Sequence, residues 1–178
     1  MAALVRGLGE GSAEGHPGDR QYLDQGTALG GRWKRGAKAQ AIGRSRGGRT
    51  TKIHAVADNQ GRLFRFSLTP GNVADITAAY ELTKQLPDKG CLIGDMGYDA
   101  RRLRMGLAFR GISSVIPTNP THKYKWPINR ETYKKRNLVE RMFGRLKDFR
   151  RIATRYDKLA RNYASAIALA AVVIWWAD

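Results

Sequence analysis

The most ordered pattern of reactive side chains lies in the carboxy-terminal third: Tyr133, Arg136, Glu140 and Lys147, spaced Tyr-x2-Arg-x3-Glu-x6-Lys. A helix turns about 100° per residue, so Arg136, Glu140 and Lys147 fall at about −60°, −20° and −40° from Tyr133, on one narrow stripe. Leu138, Met142, Leu146 and Phe149 fall on the opposite side and read as a core face. The helix so read has a core face and, facing away from it, an organised polar stripe, where a random solvated face would scatter its charges. The plain alternative for Glu140 is an i, i+4 ion pair with Arg136, and on spacing alone that alternative is the stronger. A second set lies in residues 43–52, where Arg44, Arg46, Arg49 and Lys52 alternate with glycines. Such a segment suits phosphate, because glycine lets backbone amides approach an anion; its plain alternative is a flexible basic linker. Asp95 follows the apolar run Cys91-Leu92-Ile93-Gly94 and is predicted at the tip of a buried strand, where its plain alternative is a cap of the next turn.

These groups need a scaffold, and the composition bounds it. The chain has 178 residues, enough for an ordinary core, with 32 Lys and Arg against 15 Asp and Glu, a net charge of +17. The charge is blocked. Residues 32–52 carry eight bases and no acid, and residues 101–161 carry eighteen bases and four acids, on either side of a mildly acidic middle. Two such blocks point to a polyanionic partner, nucleic acid first, held with strong salt dependence. The 42% apolar content argues against a disordered basic tail. A lone Cys91 excludes an intramolecular disulfide framework and a multi-cysteine zinc site. The opening residues lack a signal-peptide pattern, and the longest apolar stretch, residues 164–177, is too short to span a bilayer.

The predicted elements alternate. Residues 51–57 and 62–68 read as a hairpin around the turn Asp58-Asn59-Gln60-Gly61. Asp75 is predicted to cap a helix through Gln85, with Ile76, Ala79, Tyr80 and Thr83 on its inner face. A strand at 91–94 precedes a helix capped by Asp99 and closed by Gly111, then a strand at 113–116 and a loop at 118–129. One long helix is predicted over 130–152 and an apolar one over 163–176. The class is α/β with a mixed sheet. His54 is expected to be packed, and Asp58 to be a turn residue. Residues 1–36 are Gly-rich and aperiodic, a poorly ordered or non-native amino-terminal segment ahead of a domain over 37–178.

From the Tyr133-to-Lys147 spacing, together with GRSRGGRTTKIH (43–54), LTPGNVADI (68–76), IGDMGYDA (93–100) and LVERMFGRLKDFRRIATRYDKLARNY (138–163), residues 41–176 resemble the catalytic core of DDE-type insertion-sequence transposases. The resemblance implies an RNase H-like mixed sheet flanked by helices. It implies DNA strand transfer at insertion-sequence ends, with Asp95 and Glu140 as metal ligands at a two-ion Mg²⁺ or Mn²⁺ site. Tyr133, Arg136 and Lys147 would position phosphates or the glutamate. Arg44, Arg46, Arg49, Lys52, Arg141, Arg145, Arg150 and Arg151 would contact DNA. Double-stranded DNA with terminal inverted repeats, a target duplex, homo-oligomerisation on DNA and a cytoplasmic, nucleoid-associated place in a bacterium follow from the same likeness.

One part of the pattern is missing. The family's first aspartate stands on the first, central strand, shortly before GRSRGG. Asp19 and Asp24, the only aspartates before residue 43, follow no apolar strand. With synonymous codons chosen freely, a reading shifted by one nucleotide yields an apolar run ending in Asp-Ser at codons 19–22. A frameshifted amino-terminal part, an absent central strand and weak or absent catalysis are therefore expected. A non-catalytic DNA-binding remnant that modulates an intact transposase, and a basic RNA-binding protein, are the competing readings.

Overall fold

The computed structural model describes residues 2–6, 40–45 and 48–177. Arg46 and nearly all of the amino-terminal segment set apart above lie outside the described residues. The chain forms two compact units. One comprises Met1–Gly7, Ile53–Ser67 and Ala74–Gly144; the other comprises Leu68–Val73, Arg145–Asp178 and the described residues among Leu8–Lys52.

In the first unit a mixed sheet runs β3–β1–β5–β6: β1 (Ala2–Arg6), β3 (Gly48–Ala57), β5 (Gly90–Gly94) and β6 (Ile112–Val115), with β4 (Leu63–Pro70) paired to β3. β1 pairs antiparallel with β3 and parallel with β5, and β5 pairs parallel with β6. Antiparallel strands on one side of a central strand and parallel ones on the other give the RNase H-like arrangement. The central place, which the sequence leaves without an evident occupant, is taken by Ala2–Arg6. Ile53 to Ala57 are all buried in succession, where a one-sided strand would alternate. Small and β-branched residues with one histidine suit a strand covered on both faces. His54 is packed as expected, its Nδ1 3.2 Å from the Tyr98 hydroxyl. Asp58 makes its turn, accepting from the Gln60 and Arg62 backbone N–H groups at 2.9 Å each.

Helices α1 (Asp75–Lys84) and α2 (Arg101–Phe109) bury Ala79, Leu82, Leu103 and Leu107 in one core with Val56, Leu92, Tyr98, Ile112 and Ile116. Neither aspartate caps its helix. Ala74 and Ala100 take the cap positions, and Asp75 stands in the first turn of α1, where a negative charge still suits the helix dipole. Asp99 is turned inward instead. Its side chain is 1% exposed and pairs with Arg104, 4% exposed, at 2.8 Å. Its second oxygen accepts from the Asn119 backbone N–H at 2.7 Å and lies 2.9 Å from His122 Nδ1. Arg104 also donates to the Ile116 carbonyl at 2.7 Å and stacks over Trp126. The loop between β6 and the next helix is thereby pinned at four points.

The long helix predicted over 130–152 is three: α3 (Arg130–Lys134), α4 (Asn137–Lys147) and α5 (Arg150–Ala153). Asn129 caps α3 through its side chain. Between α3 and α4 the backbone N–H groups of Lys135, Arg136, Leu138 and Val139 each reach three residues back, not four, so the chain is overwound there. The core face of α4 is Val139, Met142, Phe143 and Leu146, whereas Phe149, expected on that face, is exposed in extended backbone between α4 and α5.

In the second unit, β2 (Gly43–Ser45) folds back on the start of β3, and α6 (Ala160–Trp175) follows α5. Arg155 is its hub. The guanidinium donates to the Gln40 carbonyl at 2.6 Å and to Thr51 Oγ1, and it stacks over the Tyr163 ring. Burial lowers the Arg155 pKa and pushes the Tyr163 phenol up to about 12, the latter donating to the Ile152 carbonyl at 2.8 Å. Gly71 packs so closely on Thr50 that a Cβ there would collide with the Thr50 hydroxyl. No helix of the described residues is long and apolar enough to cross a membrane.

Arg104→Ala leaves a buried carboxylate without its countercharge, and urea unfolding should show a loss of about 3–5 kcal/mol. Burial alone would raise the Asp99 pKa, but the Asn119 N–H, Arg104 and His122 together hold it below its ordinary value. A depressed carboxylate stabilises the fold above the unfolded pKa of about 3.9, and this contribution is lost as pH falls through the folded value. Thermal melts taken downward from pH 5 should therefore fall less steeply in Asp99→Asn than in the parent chain.

Candidate active site

Asp95 directly follows β5, and Leu92, Ile93 and Gly94 before it are buried, which fixes where its carboxylate emerges. It starts a single 3₁₀ turn, Met96–Tyr98, but its side chain makes no cap bond to it. The carboxylate turns to the α3–α4 junction, where Arg136 Nη1 is 3.1 Å from its Oδ1. The other end of the same guanidinium, Nη2, is 2.6 Å from Glu140 Oε1. One half-buried cation thus ties together two carboxylates from a strand tip and a helix. The Tyr133 ring lies under this guanidinium, 5.8 Å from its carbon to the ring centroid. Burial raises the Tyr133 pKa, and the Asp95 and Glu140 charges reinforce the shift against Arg136.

The expected i, i+4 pair of Arg136 with Glu140 is present, and it is only half of the contact. Of the stripe read from the sequence, Tyr133, Arg136 and Glu140 meet around Asp95. Lys147, the exposed last residue of α4, belongs to the second unit. Arg44 and Arg49, both exposed, stand directly opposite each other across β2 and β3. Lys52 donates to the Val73 carbonyl at 2.9 Å. Arg141 and Arg150 are exposed. Arg145 donates to the Ile174 carbonyl at 3.1 Å and stacks on Trp175. Arg151 grips both oxygens of Asp157, at 3.1 and 2.8 Å, which raises its pKa. Sequence reasoning missed two hubs, Asp99–Arg104 and Arg155. The second aspartate of Asp-x-Gly-Tyr-Asp was the available sign of the first; nothing local marks the second.

Two carboxylates in reach of one cation fit a hard divalent ion in kind, and no soft ligand stands with them. In number they fall short of the expected three. Among the described residues, no three His, Cys, Asp or Glu side chains are grouped so as to hold a metal ion. The parallel register pairs Leu4 with Gly94, so the residues that follow on the two strands are Val5 and Asp95.

The sheet is RNase H-like, and it brings one acid at a strand tip and one on a helix to a shared arginine. Residues 13–175 match the family model described as transposase DDE domain, and the chain belongs to that family. It is 37% identical over 127 residues to a transposase assigned to insertion sequence element IS6501 of Brucella ovis, covering 71% of this chain and 98% of the relative. It is 31% identical over 143 residues to one assigned to IS402 of Burkholderia cepacia, covering 71% of this chain and 63% of that one. Among solved structures it is similar to the catalytic core domain of BIV integrase, at 18% identity and a TM-score of 0.46, covering 72% of this chain and 77% of that chain.

Titrating the tyrosines by near-ultraviolet absorbance, with Tyr133→Phe as the difference standard, should place the Tyr133 phenolate step above the ordinary tyrosine range. A Tyr133 step at or below that range would mean that the phenol does not sit against Asp95.

Proposed function

We propose that this chain is a DNA transposase catalytic domain acting at insertion-sequence ends, with its cation site incomplete and its strand-transfer chemistry impaired. The observation that supports the site is the convergence of Asp95 and Glu140 on Arg136. Asp95 and Glu140 would hold Mg²⁺ or Mn²⁺, which when bound supplies Lewis-acid activation of a water or a 3′-hydroxyl. Tyr133 packs its ring against the Arg136 guanidinium, and burial, which raises its pKa, keeps the phenol protonated through neutral pH. Arg136 offers a planar fork that matches a phosphate bidentately. Val5 in place of a carboxylate supports the impairment, because a third acid would share the ions.

The basic surface supports DNA as the partner. Like charges facing each other across a two-stranded ribbon destabilise it unless an anion lies over them, and Arg44 and Arg49 are such a pair. Arg141 and Arg150, both exposed, extend the set, while Lys52, Arg145 and Arg151 are already engaged within the fold. The partner duplexes are the terminal inverted repeats and the target, bound by more than one copy of the chain in a bacterial cytoplasm. The same valine favours a second reading, a DNA-binding remnant that competes with an intact transposase for its ends.

Cleavage of terminal-repeat DNA in Mg²⁺ or Mn²⁺ separates the two. Val5→Asp should raise cleavage by at least about tenfold, equivalent to about 1.4 kcal/mol of barrier. Glu140→Gln should abolish cleavage in that background and leave DNA binding largely intact. Unchanged cleavage in Glu140→Gln would remove Glu140 from the site. For about six phosphate contacts, the logarithm of DNA affinity should fall against the logarithm of salt with a slope near −5. Arg44→Gln should flatten the slope by about one, and Arg151→Gln should leave it nearly unaltered.

A further inference from the structure

We infer that Arg136 is a resident countercation for the Asp95–Glu140 pair, and that a DNA phosphate, by drawing it away, opens the pair to a divalent ion. The inference rests on the reading of Asp95 and Glu140 as the cation-holding carboxylates and adds an order to it. The two guanidinium ends are committed to different acids, at 3.1 Å and 2.6 Å. Each contact is a charge-assisted hydrogen bond, roughly twice as strong as a neutral one. An incoming ion needs the same oxygens and must break these bonds. The guanidinium side chain is only 27% exposed, so losing both acids without a replacement leaves a poorly hydrated charge. A phosphate supplies that replacement, because it accepts the same planar fork that the two carboxylates accept now. The Tyr133 ring, 5.8 Å from the guanidinium carbon, is the face from which the cation would move.

The consequence is a positive linkage. DNA that captures Arg136 raises the affinity for the ion, and the ion raises the affinity for DNA by the same factor. In the absence of DNA the site is held closed by its own arginine, so one positive charge stays shared between the two carboxylates until a phosphodiester is in place.

The probe is Mn²⁺ alone, its uptake by the full chain followed by electron paramagnetic resonance at fixed ionic strength, with and without a terminal-repeat duplex. The parent chain should bind Mn²⁺ about tenfold or more tighter with DNA than without, inside the usual 5- to 150-fold range of coupling. Arg136→Gln, which removes the charge and keeps polar bulk, should bind Mn²⁺ about tenfold tighter than the parent without DNA. In that variant the effect of DNA should shrink below about threefold. Lys135→Gln removes an adjacent charge and should change DNA-free Mn²⁺ uptake by less than about twofold, which separates a specific contact from loss of general repulsion. Circular dichroism melting of each variant reports on folding; should Arg136→Gln melt early, Arg136→Lys, which can meet one acid but not fork across two, should show an intermediate gain. DNA-free uptake in Arg136→Gln no tighter than in the parent, or matched by Lys135→Gln, overturns the inference while leaving the carboxylate pair standing. Mn²⁺ uptake by Arg136→Gln that survives both Asp95→Asn and Glu140→Gln overturns the carboxylate reading itself, and the inference with it.

Discussion

A single guanidinium brings two carboxylates to one place, although Asp95 and Arg136 are 41 residues apart in the chain. Everything in the first unit that bears on chemistry depends on that convergence. β5 lies between β1 and β6, so its tip cannot drift, and Asp95 leaves the sheet at a fixed point. α4 is seated by Val139, Met142 and Phe143, which fixes the face that carries Glu140. Arg136 sits in the overwound stretch between α3 and α4, where the turn per residue approaches 120° and no longer 100°. That extra rotation allows one side chain to serve an acid on its own helix and an acid on the sheet.

The Asp99–Arg104 pair supplies rigidity by a different route. A buried ion pair has a desolvation cost that its Coulomb attraction alone seldom repays, and it persists where the remaining hydrogen-bonding capacity is filled. Here both Asp99 oxygens have donors, and Arg104 has a carbonyl and an aromatic face besides its acid. The residues so engaged (Ile116, Asn119, His122 and Trp126) all belong to the segment leading into α3. The four-residue step from Asp95 to Asp99 therefore couples the strand tip to the entry of the helix that carries Tyr133. Two ion pairs, Asp95–Arg136 and Asp99–Arg104, sit at the two ends of the same 3₁₀ turn.

Much of this was legible in the sequence, for identifiable reasons. The hairpin was marked by Asp58 and Gly61, whose chemistry is local. Tyr133, Arg136 and Glu140 shared a stripe because periodicity survives a short overwound segment; the break between α3 and α4 was hidden for the same reason. Phe149 was assigned to the core because a helical wheel assumes that the helix continues, and it stops at Lys147. Asp75 and Asp99 were read as caps because cap preference is a local rule, and burial beside Arg104 is not local. Ala2–Arg6 escaped notice as a central strand because five residues before a glycine-rich stretch have no periodicity to display. Its place in the sheet comes from two partners far along the chain, and only that register shows that Val5 follows Leu4 where Asp95 follows Gly94.

The net charge of +17 overstates what a polyanion would meet. Arg104, Arg110, Arg151 and Arg155 hold backbone carbonyls or carboxylates of their own units, and Arg136 holds two acids. These guanidiniums are spent on structure; releasing them to a phosphate would cost the contacts that they make. Arg44 and Arg49 are in the opposite position, since each faces a like charge across the ribbon and gains when an anion comes between them. The difference between the two groups is a difference in the state from which binding starts, not in residue type. An approaching polyanion would therefore gain more from the second group than from the first, and Arg136 stands between them: satisfied in the isolated chain, yet satisfied in a form that a phosphate can reproduce.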